Sequence, residues 1–187
     1  VEQKDVFEVV EKLMKSVFKK FSDKKMLYEK FPKVTYSDTM FKYGTDKPDL
    51  RNPLIINDFT TIFEREDVSF DIFKKLVKKG SVVRGIVTKK TKDKPRSFFD
   101  GIDKWAKDEG ASGLAYFTIE KKDKITGKGP VGKFFGEDSL KEIMKRCDMK
   151  VGDSIFLACG REEEIQKILA LAIDKIGQDL NIINKDK

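Results

Sequence analysis

The sequence predicts an α+β fold, a two-layer domain whose mainly antiparallel sheet is covered by helices on one face. Three observations carry that expectation. Ser81-Val-Val-Arg-Gly-Ile-Val-Thr88 is rich in β-branched residues and reads as a strand. Asp153 to Cys159 is apolar on both faces, as a central or covered strand is. Helical spacing alternates with such runs, so the second part of the chain reads β-α-β-β-α-β-α.

Taken in order, Val6, Val9, Val10, Leu13, Val17, Phe18 and Phe21 recur at three- and four-residue spacing, predicting an amphipathic helix over residues 4–22. A charged connector runs to Phe31-Pro32, and a short helix capped near Ser37 holds Met40 and Phe41 until Gly44 stops it. This first segment has little to bury its long helix against. Pro53 marks a domain boundary, giving residues 1–51 and 52–187. Asp58 to Phe63 suits a helical turn, and Val68 to Phe73 reads as a strand or the start of a short helix. Ser97 and Asp100 match a capping box that opens a helix burying Phe98, Phe99, Ile102, Trp105 and Ala106 and ending at Gly110. Leu114 to Glu120 is a strand, with Val131 to Phe135 expected as its partner. Glu137 to Cys147 and Glu162 to Leu180 are helices by their apolar spacing.

The chain has 187 residues, 39% of them hydrophobic and 15 of them Phe, enough for a real core despite 38% charged residues. No apolar run approaches a membrane span. Histidine is absent, which excludes Ser-His-Asp and Cys-His catalysis. Cys147 and Cys159 cannot make a metal site between them and read as reduced core residues. Neither a Walker-type loop nor a Gly-x-Gly-x-x-Gly run is present.

One stretch stands apart. Lys42-Tyr43-Gly44-Thr45-Asp46-Lys47-Pro48-Asp49-Leu50-Arg51 is a stiff polar loop in which Gly44 permits positive φ and Pro48 forces Lys47 out of the helical region. Asp46, Lys47, Asp49 and Arg51 alternate in sign, which suits either a local ion-pair network or a grip on a polar ligand. The order of residues closely resembles the Tyr-Gly-Ser-Asp-Lys-Pro-Asp-Leu-Arg signature of bacterial-type aspartyl-tRNA synthetases, with Thr45 in place of Ser. Further blocks are similar to successive parts of that family's insertion domain: Ser97-Phe-Phe-Asp, Glu109-Gly-Ala-Ser-Gly-Leu-Ala-Tyr116, Gly129-Pro-Val-Gly-Lys-Phe134 and Lys150-Val-Gly-Asp-Ser-Ile-Phe156. The insertion domain is shared with B subunits of tRNA-dependent amidotransferases, but a loop of the Tyr43–Arg51 type before it favours the synthetase.

The resemblance implies that residues 1–51 are the end of a class II catalytic-domain segment following motif 2, and that 52–187 are the insertion domain. It implies a homodimeric, cytoplasmic parent enzyme that uses ATP and Mg2+ to activate aspartate and transfer it to tRNA. The ATP, Mg2+ and aspartate ligands of the family fall outside this chain. The piece itself is therefore expected to be monomeric, to carry no catalytic or metal-binding residue and to need no cofactor. Chain start at Val1 without Met fits an excised piece. A stand-alone basic RNA-binding module and an amidotransferase subunit are the alternatives.

The net charge of +7 is concentrated in two loops. Lys89, Lys90, Lys92, Lys94 and Arg96 outweigh Asp93 in one. Lys121, Lys122, Lys124, Lys128 and Lys133 outweigh Asp123 in the other. The two strands that feed these loops should run in the same direction, because a helix crosses between them. Both loops then leave one edge of the sheet, the footprint expected for RNA phosphates, with Lys89, Lys90, Lys92, Lys94, Arg96, Lys121, Lys122 and Lys124 as the candidate contacts. Ordinary solvated lysines are the other reading.

Overall fold

The computed structural model describes residues 1–186. Its organising layer is a five-stranded sheet in the order β1-β2-β5-β3-β4, built from β1 (Ile56–Asp58), β2 (Val82–Thr88), β3 (Ala115–Lys121), β4 (Ile125–Lys128) and β5 (Ser154–Gly160). Every neighbouring pair is antiparallel. The doubly apolar strand expected over 153–159 is the central one, β5. Because β2 and β3 each run against β5, they run in the same direction as one another. Thr88 and Thr118 both lie opposite Ser154, and Ile86 and Tyr116 both lie opposite Phe156.

The fold is α+β with an antiparallel sheet flanked by helices. On one face Ile86, Tyr116 and Phe156 pack with Phe99, Ile102 and Ala106 of α4 (Arg96–Asp108) and with Leu169, Ala172 and Ile176 of α6 (Glu162–Asp179). These two long helices are the expected cover. Shorter elements close the other face: Val83, Phe117, Ile119, Ile155 and Leu157 pack with Leu140 and Ile143 of α5 (Glu137–Arg146), with Phe59, Ile62 and Phe63 around the 3-10 turn Thr60–Glu64, and with the rim of α3 (Asp71–Lys78). The strands explain why. They are apolar at odd and even positions alike, so neither face can be left to water. Trp105, expected within the first core, packs half-buried at its edge.

Local chemistry corrects several boundaries. Helix α4 starts at Arg96 after Pro95, not at a Ser97 cap, and no side chain caps it. Proline enters with φ already set at −65°, while Asp100 is drawn away to Tyr116 and Arg96. Residues 131–135 are not the partner strand of β3. The partner is β4, and Gly132–Phe134 is a 3-10 turn. Gly127 and Gly132 let two backbones touch there; a Cβ on Gly132 would lie 2.3 Å from the Gly127 carbonyl carbon. Val68 keeps only an isolated bridge to Phe135, and the helix that follows begins at Asp71.

Before the sheet lie α1 (Gln3–Phe21) and α2 (Tyr36–Tyr43). Helix α1 buries no residue, as expected of a helix with little to pack on. Thr35, rather than Ser37, caps α2 by accepting from the Asp38 N–H at 3.1 Å. Gly44 ends it in the left-handed region at φ 71°. Helix α2 is not free: Gln166 of α6 donates to the Met40 carbonyl at 2.7 Å, and Gly44 approaches the Gln166 backbone so closely that a Cβ would lie 2.5 Å from its oxygen.

Candidate nucleic-acid interface

The polar loop after α2 is tied down mainly by its own residues. Thr45 holds it from within, its carbonyl accepting from the Thr39 hydroxyl at 3.3 Å and its own hydroxyl from the Lys47 N–H at 3.2 Å. Asp46 and Lys47 pair at 3.0 Å on the surface. Pro48 is half-buried between them and the next pair. Asp49 takes the Arg51 guanidinium in bidentate fashion, at 2.9 Å from Nε and 2.8 Å from Nη2, and also accepts the Arg51 N–H. The Arg51 side chain holds the Asp49 carboxyl below its ordinary value, against the opposing effect of burial. Burial raises the Tyr43 phenol, and Tyr28 adds to the effect. Of the two sequence readings, local ion pairing accounts for Asp46, Lys47, Asp49 and Arg51.

The two basic loops leave the same end of the sheet, and the fold uses their cations differently. Lys89 caps α5: its ammonium donates to the carbonyls of Cys147 and Asp148 and lies 3.5 Å from Asp153. That is a favourable place for a cation, since the helix C-terminus is its negative end. Lys90 adopts φ 55°, held by its N–H bond of 2.8 Å to the buried Asp153 carboxylate. It lines a cleft on one side of the loop, while Lys92 and Arg96 line a second cleft on the other. Lys94 borders both.

The second cleft has a volume of about 480 Å³. Its cations are Lys92, Lys94, Arg96 and, from β4, Lys128. Phe99, Tyr116, Thr118 and Glu120 also line it. Phe99 and Tyr116 stack with centroids 5.0 Å apart. The Tyr116 hydroxyl donates to Asp100 at 2.6 Å, and burial together with that carboxylate pushes the phenol up to about 12. Tyr116 is therefore a fixed donor rather than a base. Asp100 also accepts from Arg96 at 3.1 Å, and Glu120 pairs with Lys128 at 3.2 Å. Lys92 and Lys94 have no carboxylate partner among the described residues.

Lys121, Lys122 and Lys124 do not border this cleft. They sit exposed at the β3–β4 hairpin, where the Lys122 N–H reaches the Lys124 carbonyl at 3.4 Å. Lys124 looks toward α5, helping Lys141 to hold the Glu137 carboxyl below its ordinary value. Sequence reading missed Lys128, Glu120, Thr118 and Tyr116 as cleft residues. The signal was strand parity: Tyr116, Thr118 and Glu120 alternate onto one face of β3. The cysteines are free thiols; burial raises both, Cys159 to about 11. Among the described residues no group of three or more Cys, Asp or Glu is arranged to hold a metal ion. No helix among them is long and apolar enough to cross a membrane.

The architecture is thus an antiparallel sheet flanked by helices, with a cationic cleft at one end. The chain belongs to the GAD domain family, which it matches over residues 73–169, from α3 into α6 and including the whole basic end. It is 65% identical over 186 residues to the aspartate–tRNA(Asp/Asn) ligase of Pelagibacter ubique (strain HTCC1062), a match covering 100% of this chain and 31% of that protein. The corresponding ligases of Beijerinckia indica and Ehrlichia chaffeensis are each 44% identical, over 97% and 100% of this chain and 31% of theirs. The resemblance to bacterial-type aspartyl-tRNA synthetases is borne out. The chain spans 31% of the length of these relatives.

Proposed function

We propose that this chain is a non-catalytic part of an aspartate–tRNA ligase, with residues 1–51 contributed by the catalytic domain and 52–187 forming the insertion domain. The observation that supports this most is the 65% identity to such a ligase across the whole chain, the Tyr43–Arg51 loop included. The parent enzyme activates aspartate with ATP and Mg2+ in the cytoplasm, as a homodimer, and passes it to tRNA. The names of the relatives favour both tRNA(Asp) and tRNA(Asn) as acceptors. No step of that reaction is assigned to this chain. Its part is to offer a basic end to the phosphates of the tRNA acceptor stem.

Two measurements test the reading. The isolated chain is expected to give no aspartate-dependent pyrophosphate exchange with ATP; turnover scaling with its concentration would refute the non-catalytic assignment. Its binding to tRNA should weaken with salt, each neutralised phosphate adding about 0.7–0.9 to the slope of log affinity against log salt. Changing Lys92, Lys94 and Lys128 to Gln should flatten that slope by about two units. The same change in Lys12, Lys15 and Lys19 of α1 should leave it nearly intact. Equal losses from both sets, or no binding at low salt, would return these lysines to ordinary solvated charge.

A further inference from the structure

The 89–96 loop stands between two clefts and carries cations on both flanks. Lys90 lines the first cleft, of about 450 Å³, and Lys92 the second, while Lys94 borders both and so stands at the crest. Their neighbours are already engaged: Lys89 by Asp153 and the end of α5, Arg96 by Asp100, Lys128 by Glu120. Lys90, Lys92 and Lys94 are exposed and have no carboxylate partner among the described residues. Lys94 meets only the Phe98 ring, 5.8 Å from its centroid. Asp93, the acid of the loop, lines neither cleft.

The backbone that carries these three lysines is fixed. Lys90 sits at φ 55°, a left-handed conformation that glycine or asparagine adopts at lower cost. It is held there because the Lys90 N–H donates to the buried Asp153 carboxylate at 2.8 Å. The Lys92 N–H donates to the Gly152 carbonyl at 2.9 Å, and the Lys94 N–H to the Thr91 carbonyl at 3.0 Å. Thr91 itself is 2% exposed, and its hydroxyl donates to Ser154 Oγ at 2.8 Å. The ridge is therefore set before any ligand arrives, which removes part of the ordering cost of binding.

A rigid ridge with cations on both flanks is complementary to a groove with anions on both walls. A single strand has one row of phosphates and fills one cleft at a time. An RNA duplex carries phosphates along both rims of its wide, shallow minor groove, whereas its major groove is too deep and narrow for side chains to read. The minor groove of B-form DNA is only about 6 Å wide.

We propose that the 89–96 loop is a wedge for double-stranded RNA, seated in the minor groove with Lys90 meeting phosphates of one strand, Lys92 those of the other and Lys94 between them. It rests on the reading of this end as an RNA-facing surface, and it deepens that reading from phosphate contact to the groove of a duplex.

The test titrates the 187-residue chain with an RNA stem-loop, a DNA stem-loop of the same sequence and a single-stranded oligouridine with as many phosphates, by fluorescence anisotropy. The RNA stem-loop should bind about tenfold more tightly than either, one added phosphate contact multiplying affinity by roughly that factor at about 0.1 M salt. Lys90→Gln and Lys92→Gln should each flatten the stem-loop's slope of log affinity against log salt by about 0.9. Lys122→Gln, outside both clefts, should leave it intact. Asp153→Asn removes a negative charge, so charge alone would tighten RNA binding. A loosened ridge should instead weaken the stem-loop about twofold to tenfold, the cost of ordering the segment on binding. A melting curve checks the fold of that variant, and the exposed lysine variants decide the matter if it does not fold. Equal affinity for stem-loop and oligouridine, equal affinity for RNA and DNA, tighter binding by a folded Asp153→Asn protein, or a slope untouched by Lys90→Gln would overturn the wedge. In each of those cases a slope that still depends on Lys92, Lys94 and Lys128 leaves phosphate contact standing. No binding to any RNA at low salt would overturn both.

Discussion

The Asn52 side-chain amide lies against Gly177 of α6, so close that a Cβ on that glycine would sit 2.4 Å from Asn52 Nδ2. Asn52 is 3% exposed; its amide donates to the Ile173 carbonyl at 2.8 Å and its Oδ1 accepts the Leu54 N–H at 3.1 Å. One side chain thus fastens the start of the sheet segment to the last helix. Asn52→Ala should cost about 1–3 kcal/mol by leaving buried backbone groups unpaired. Gly177→Ala should also destabilise, although alanine is the better helix former. The double variant removes the collision, so it should be more stable than the sum of the singles predicts, by about 1 kcal/mol. Additive losses in chemical denaturation would show that Gly177 is not held to glycine by Asn52.

Residues 52–187 are predicted to fold without 1–51. Both cores lie within them, and what α2 adds is at the surface of α6 and β2: the Gln166 bond to the Met40 carbonyl, and the Arg84 guanidinium against the Phe41 ring at 4.9 Å. The truncated chain should keep a single cooperative thermal transition. A molten or insoluble product would make α2 part of the core.

Much of this arrangement was legible in the sequence because it follows from burial alone. A strand apolar at every position, such as 155–159, has to lie in the middle of a sheet, and the helical spacing of α6 survives its packing unchanged. What was not legible depends on partners distant in sequence. The three residues of β1 are too few to show a period and exist through pairing with β2. The turn at Gly132 exists because Gly127 leaves room for it. Asp100 reads as a capping residue until Tyr116, on another element, claims its carboxylate. In the cleft, the charged loop was visible but the strand residues that line it were not, because Thr118 and Glu120 look like ordinary strand residues until Ser154 and Lys128 are placed beside them.

Two aspartates are predicted to give the stability opposite dependences on pH. Burial would raise Asp67, but the Ser139 hydroxyl and N–H and the Arg65 guanidinium outweigh it, and its carboxyl is held below the ordinary value. Its contribution is therefore present above the unfolded-state value of about 3.9 and lost as the pH falls through the lower folded one. Asp174 is the reverse case: burial first, then nearby Asp49, raises it. The folded form then holds its proton more tightly, so its contribution is fully present below the unfolded-state value and is lost as the pH rises from there through the raised folded one. Asp67→Asn should lower the melting temperature at about pH 7 and flatten its fall in acid. Asp174→Asn should raise the melting temperature at about pH 7 and do little near about pH 3. A reversed sign for either variant would refute the corresponding environment.

The half-buried Trp105 is predicted to emit between the wavelengths of buried and exposed indole. Its replacement by alanine should cost about 2 kcal/mol, less than a fully buried aromatic, since only part of its surface leaves water. A loss above about 4 kcal/mol would place it deep in the core.

The last expectation concerns α1, whose apolar stripe faces solvent. Val6, Val10, Leu13 and Val17 are each at least 43% exposed, and no residue of the helix is buried. Its support is local: Asp5 accepts the Glu2 N–H at 2.8 Å, Lys15 pairs with Glu11 at 2.6 Å, and Glu11 also accepts the Phe31 N–H at 3.2 Å. Such bonds contribute little, and an isolated helix of this length is marginal in water. In this chain α1 should therefore exchange its amide hydrogens orders of magnitude faster than α6, whose apolar face lies in the first core. Val10→Asp with Leu13→Asp should leave the melting temperature of the remainder unchanged while lowering dye binding and self-association at high concentration. Protection of α1 equal to that of α6, or a large loss of stability in the double variant, would mean that the stripe is already covered in the isolated chain.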